Sequence, residues 1–180
     1  MQISLMLGNL GQPFEEAIAT VQRLGLPAIH LSADGRWAPE TCGTPQRKEL
    51  KAALRERGLV ISALSRWGGD IDLGDAKVAE RGVADARQTL EMAADVMGDD
   101  AGMGIWQAHI GVMPRSMSGP RWDSFLRSAE AIVKHGEKVG ACLAVETGPE
   151  PAAVMEKLMS TFDSPALRVN YDPANLILWP

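Results

Sequence analysis

Short apolar runs alternate with long amphipathic segments from one end of this chain to the other, and no hairpin turn joins two runs. Ile3 to Leu7 reads as a first strand. Pro13 opens a helix with Phe14, Ala17, Ile18, Val21 and Leu24 at helical spacing, closed by Gly25. Strands follow at Ala28–Leu31, Leu59–Leu64, Gly104–Ile110, Ala141–Thr147 and Leu167–Asp172. Between them lie helices at about Pro45 to Arg57, Ala76 to Met97 (stopped by Gly98), Trp122 to Val139 and Pro151 to Phe162. Six strands with five intervening helices require parallel pairing through right-handed crossovers. Two α/β architectures satisfy that order, a doubly wound sheet and a (β/α) barrel. The turn after the first strand, Gly8-Asn9-Leu10-Gly11-Gln12-Pro13, lacks the GxGxxG spacing of a dinucleotide site. Polar residues instead gather after several strands: His30, Ser65-Arg66, His109, Glu146 and Asp172. A site assembled from many strand ends is the signature of a barrel. The expectation is a single TIM-type barrel domain over 1–180, incomplete, with about six of eight βα units.

Composition removes several function classes. Net charge is −5 with Lys and Arg dispersed among Asp and Glu, so no basic stripe would gather the phosphates of a nucleic acid. No apolar run reaches the roughly 20 residues of a bilayer span. The start of the chain lacks the basic residues and cleavage site of a signal peptide, which makes cytoplasm the default. Cys42 and Cys142 are the only cysteines and are expected to be free thiols, Cys142 as a small core residue.

Two carboxylates stand out. In Ala141-Cys142-Leu143-Ala144-Val145-Glu146, alternation puts Cys142, Ala144 and Glu146 on the small, inward face and Leu143 and Val145 against the helices. An inward carboxylate needs a cationic partner, unless Glu146 is simply a loop residue in water. Asp172 shares a face with Arg168 and Asn170, and the Pro173 that follows also allows it to be a helix N-cap. Carboxylates at the ends of adjacent parallel strands repel each other unless a divalent cation lies between them. His30 and His109, at equivalent strand ends, could ligate metal or bond a substrate hydroxyl. His135 reads as part of a solvated helix face. Trp37 and Trp67 follow the second and third strands, where their rings could line a sugar pocket.

The runs His109-Ile110-Gly111-Val112-Met113-Pro114, Ala144-Val145-Glu146-Thr147-Gly148-Pro149-Glu150 and Val169-Asn170-Tyr171-Asp172-Pro173-Ala174-Asn175-Leu176 resemble the xylose isomerase-like (β/α)-barrel superfamily, sugar phosphate isomerase/epimerase type. The resemblance runs along essentially the whole chain. It implies one divalent metal (Mn, Mg, Co or Zn) held by four side chains from strands five to eight. Glu146 matches the strand-five ligand that also serves as acid/base, and Asp172 matches the strand-six ligand. His30 stands where many relatives have a glutamate, and Asn175 where many have a histidine that contacts substrate or metal. That last departure, with the acidic charge, argues against an apurinic-endonuclease-like phosphodiesterase.

The resemblance therefore implies a metal-dependent isomerase or epimerase of a small sugar, sugar phosphate or polyol. Glu146 is the catalytic candidate, with His109, His30, Asn175 and Trp67 around the substrate. Relatives continue to strands seven and eight, which carry two further ligands. The expectation is a truncated chain holding its metal weakly, with exposed barrel edges suited to a homo-oligomer. The alternative is a non-catalytic fragment or binding module.

Overall fold

In the computed structural model, which describes residues 3–66 and 71–178, six strands form one wholly parallel sheet in chain order. The strands are β1 (Ser4–Met6), β2 (Ala28–Ser32), β3 (Val60–Ser65), β4 (Gly104–Ala108), β5 (Ala141–Glu146) and β6 (Leu167–Asn170). The helices are α1 (Phe14–Arg23), α2 (Thr44–Glu56), α3 (Ala79–Ala101), α4 (Gly119–Val139), α5 (Ala152–Phe162) and the short α6 (Pro173–Leu178). Sequential neighbours throughout, each pair linked by a helix, are the topology of a TIM-type barrel wall. Among the described residues β1 pairs only with β2 and β6 only with β5. None of these helices is long and apolar enough to cross a membrane.

The core lies between the sheet and the helices. Ile18 and Val21 of α1, Leu50 and Leu54 of α2, Leu90 and Met97 of α3, Phe125 and Ile132 of α4, and Leu158 of α5 are buried against it. Their spacing by three, four or seven residues is the apolar stripe read from the sequence. The outward residues of β5, Leu143 and Val145, join this layer, while its inward Cys142, Ala144 and Glu146 are buried on the other side. Cys42 and Cys142 are both free and buried, and burial pushes both thiols up in pKa.

Three strands are two residues shorter than the apolar runs suggest: β1, β4 and β6, which stops at Asn170 and leaves Asp172 in the turn before α6. The run at Ile3 to Leu7 gives only three paired residues before the chain tightens into a 3-10 turn at Leu7–Leu10. The run at Gly104 to Ile110 leaves the sheet after Ala108, so His109 belongs to the loop above β4. The stop expected at Gly98 does not occur. α3 continues to Ala101 and ends where Gly102 adopts φ 70°. The extra turn carries Asp99 and Asp100, which meet Lys51 (3.0 Å) and Arg55 (2.6 Å) of α2. These ion pairs help offset the roughly 1 kcal/mol cost of a helical glycine.

Gly104 starts β4 directly against α3. A Cβ there would come within 2.5 Å of the Ala93 and Ala94 backbone, which cannot move aside as a flexible side chain could. Gly104→Ala is therefore expected to cost about 1–3 kcal/mol, measured by denaturant unfolding. Gly98→Ala, with open space around it, serves as the control and should gain stability.

Candidate functional site

The site lies at the C-terminal ends of the strands, where side chains on alternate positions turn into the barrel. Register fixes which ones meet. Ser65 of β3 pairs with Gln107 of β4, Gln107 with Ala144 of β5, and Glu146 with Asn170 of β6. A pocket of about 430 Å3 opens between these strand ends, bordered by His30, Gln107, Glu146, Asn170 and Asp172. A larger cleft of about 660 Å3 continues over β3 and β4 and shares Gln107 with that pocket.

Glu146 is 9% exposed. Its Oε1 accepts a hydrogen bond from Asn175 Nδ2 at 2.9 Å and lies 3.4 Å from His109 Nε2. Its Oε2 is buried with no partner. Burial raises the carboxyl above the usual carboxylate range. His109 and the Asn175 bond pull it back, and the neighbouring Asp172 carboxylate pushes it up again. A carboxyl held above its ordinary range is a stronger proton acceptor than a solvated one, which suits it to acid/base work.

Asp172 serves two ends at once. Its Oδ1 accepts from Ala174 N at 2.8 Å, capping α6, so the capping role open to it in the sequence is realised. The same side chain also borders the Glu146 pocket. Thr147 ties the two positions together: its hydroxyl donates to Asp172 O at 3.0 Å and accepts from Asp172 N at 2.9 Å.

His30 lies on the pocket floor. Its Nε2 is buried without a partner, and burial lowers its pKa, so the ring is neutral at physiological pH. Asn175, at the start of α6, reaches back to Glu146 rather than standing free. Trp67 lies outside the described residues. Trp37 stays away from the Glu146 pocket; it stacks on Phe14, ring centroids 5.2 Å apart, with the Arg36 guanidinium 4.2 Å from its ring. His135 corrects the expectation of a solvated helix face. It is half-buried and turns toward Glu91 of α3 at 3.1 Å, because α3 and α4 pack side by side.

Gln107, Asn170 and Thr147 were not singled out in the sequence. Gln107 sits two residues before His109, on the same inward parity, and that alternation was the available signal. A polar residue inside an apolar strand is unremarkable until its burial is known.

The donor chemistry fits a hard divalent cation in part. Glu146 Oε2 lacks a partner and Asp172 lies beside it, which supplies anionic oxygens of the kind that Mg2+ and Mn2+ take. Among the described residues no three His, Cys, Asp or Glu side chains converge as a complete metal cage. These residues therefore fit as two ligands of a shell.

The family model described as xylose isomerase-like TIM barrel matches residues 14–180. No curated protein matches the sequence. Among solved structures, a xylose isomerase domain protein from Planctomyces limnophilus superposes with a TM-score of 0.79 at 22% identity, over 97% of this chain and 64% of that one. An L-ribulose 3-epimerase gives 0.74 at 17% identity, over 99% and 63%. A xylose isomerase-like TIM barrel protein from Mycobacterium smegmatis, in complex with magnesium, gives 0.63 at 16% identity, over 96% and 63%. The chain thus spans somewhat less than two thirds of each of these structures. With the six parallel strands, the strand-end site and a family match over nearly its whole length, the chain belongs to the xylose isomerase-like TIM barrel family.

Proposed function

We propose that this chain carries the acid/base machinery of a divalent-metal-dependent isomerase or epimerase acting on a small sugar or polyol. The observation that supports this most is the buried Glu146 carboxyl, with one oxygen oriented by Asn175 and His109 and the other buried without a hydrogen-bond donor, beside Asp172. In this reading Glu146 takes a proton from a carbon next to a carbonyl. The C–H bond breaks, the electron pair moves to the carbonyl oxygen, and an enediolate results. Moving the hydroxyl proton from the neighbouring oxygen to the former carbonyl oxygen, and returning the carbon proton to the former carbonyl carbon, isomerises the sugar. Protonation of the original carbon from its other face epimerises it and needs a second acid. His109 stands beside Glu146 and in this reading hydrogen-bonds the substrate oxygen on which the negative charge develops.

Glu146 and Asp172 would hold the cation, with the rest of its shell coming from water, substrate or further polypeptide. When bound, it would polarise the substrate oxygens. His30 and Asn175 are assigned to the substrate side, His30 through its unpartnered Nε2 and Asn175 by orienting Glu146.

The test combines elemental analysis with an assay of ketose epimerisation and aldose–ketose exchange. Exchange of the substrate C–H with solvent deuterium should appear with Mn2+ or Mg2+ and vanish after chelation. Protein that retains no divalent metal under replete conditions and exchanges no proton of any sugar tested would overturn the reading.

A further inference from the structure

Ser65 and Gln107 are register partners on the adjacent strands β3 and β4. They are 1% and 6% exposed. Neither Ser65 Oγ nor Gln107 Oε1 has a hydrogen-bond partner. Buried polar groups are nearly always bonded, because an unmade bond costs the full desolvation of the group. Two such oxygens on neighbouring strands are therefore costly to the fold. They border the same cleft of about 660 Å3, and Gln107 reaches the Glu146 pocket as well. A ligand spanning both spaces runs along the strand ends that carry them.

The charge around the cleft says what kind of ligand fits. Arg66 is engaged by Glu40 through two bonds, at 2.9 and 3.3 Å. Arg121 is engaged by Asp72 through two more, at 2.9 and 3.0 Å. Both guanidiniums that line the cleft are thus occupied by carboxylates, so neither presents the free fork that grips a phosphate. What the floor offers is neutral hydrogen-bonding oxygen.

We propose that Ser65 and Gln107 form a hydroxyl-binding subsite for the uncharged end of the sugar chain, remote from the carbon handled at Glu146. The proposal rests on the sugar reading above and narrows it to unphosphorylated substrates. A sugar O–H donates to Gln107 Oε1, and the Ser65 hydroxyl bonds the next oxygen along. A site built this way rejects an analogue lacking the hydroxyl, since its own buried group is then left unpaired.

The test is calorimetric titration of metal-loaded wild type, Ser65→Ala and Gln107→Leu. The probes are D-fructose, its single deoxy derivatives at C4, C5 and C6, and D-fructose 6-phosphate. Wild type should bind D-fructose more tightly than its 6-phosphate. Each variant should lose about tenfold in affinity for D-fructose. That loss should disappear with the deoxy sugar that lacks the contacted hydroxyl. The variants without ligand should melt no lower than wild type, which a structural role for these side chains would not allow. Variants that bind D-fructose as wild type does, or losses equal across all deoxy sugars, overturn the subsite alone. Tighter binding of the 6-phosphate overturns the restriction to uncharged substrates. A wild type that binds none of these probes overturns the sugar reading itself, and the subsite with it.

Discussion

Glu146→Gln is expected to lower turnover by about a hundred- to ten-thousand-fold, the usual contribution of a positioned acid/base, while KM changes far less. The substitution keeps the size of the side chain and the oxygen that accepts from Asn175, so the fold should survive it. What it removes is the ionisable group that takes up and gives back a proton. The same variant should be more stable than wild type when both are metal-free at neutral pH. The sign follows from burial. The folded state holds the Glu146 proton more tightly than the unfolded state does. Its contribution is therefore present in full below the ordinary carboxylate value of 4.5 and is lost as pH rises through the elevated folded value. Glutamine stays neutral throughout, so its advantage should appear at pH 7 and vanish below about pH 4. Melting curves at the two pH values check this. Equal stability at both would mean that the carboxylate is well solvated in the folded protein.

Trp106→Ala should cost about 3–5 kcal/mol, enough to unfold a marginal domain. Trp106 is fully buried in the middle of β4, among the largest side chains of the core. Few neighbours can collapse into the space it leaves, since β3 and β5 are fixed on either side by the sheet. Its indole Nε1 is buried without a partner, a cost that the ring volume must outweigh. Trp106→Phe removes that cost and keeps much of the volume, so its penalty should stay below about 1.5 kcal/mol. The two variants, compared by denaturant unfolding at constant slope, separate packing from polar burial. A Phe variant as unstable as the Ala variant would show that the N–H is satisfied.

The alternation of apolar runs and helical stripes made the order of elements readable, because each signal is local: period two in β5, period three to four in α4. The inward turn of Glu146 was readable for the same reason. The crossover rule supplied the parallel neighbours that bring Asp172 near it, but not the register, and Asp172 lies just past the last paired residue, Asn170. Other features depended on contacts distant in the chain. The persistence of α3 past Gly98 relies on Lys51 and Arg55, more than forty residues earlier. His135 faces α3 because of how two helices pack, and its own sequence window, Lys134-His135-Gly136-Glu137-Lys138, is indistinguishable from a solvated face. Gln107 and Ser65 looked like ordinary polar residues because missing partners, unlike polarity, are a property of the folded chain alone.

If Glu146 and Asp172 hold a cation as proposed, Thr147 bears on how they would meet it. By bonding both the N–H and the C=O of Asp172, its hydroxyl locks the Asp172 backbone to the strand end that carries Glu146. The backbone spacing between the two acidic residues is therefore set when the chain folds. The repulsion between them is endured in advance, and an arriving ion finds the pair already gathered, so binding need not arrest loose loops first. On the proposed reading, the fit of metals of different radius would then depend on a gauge made of one hydroxyl and the backbone of one residue.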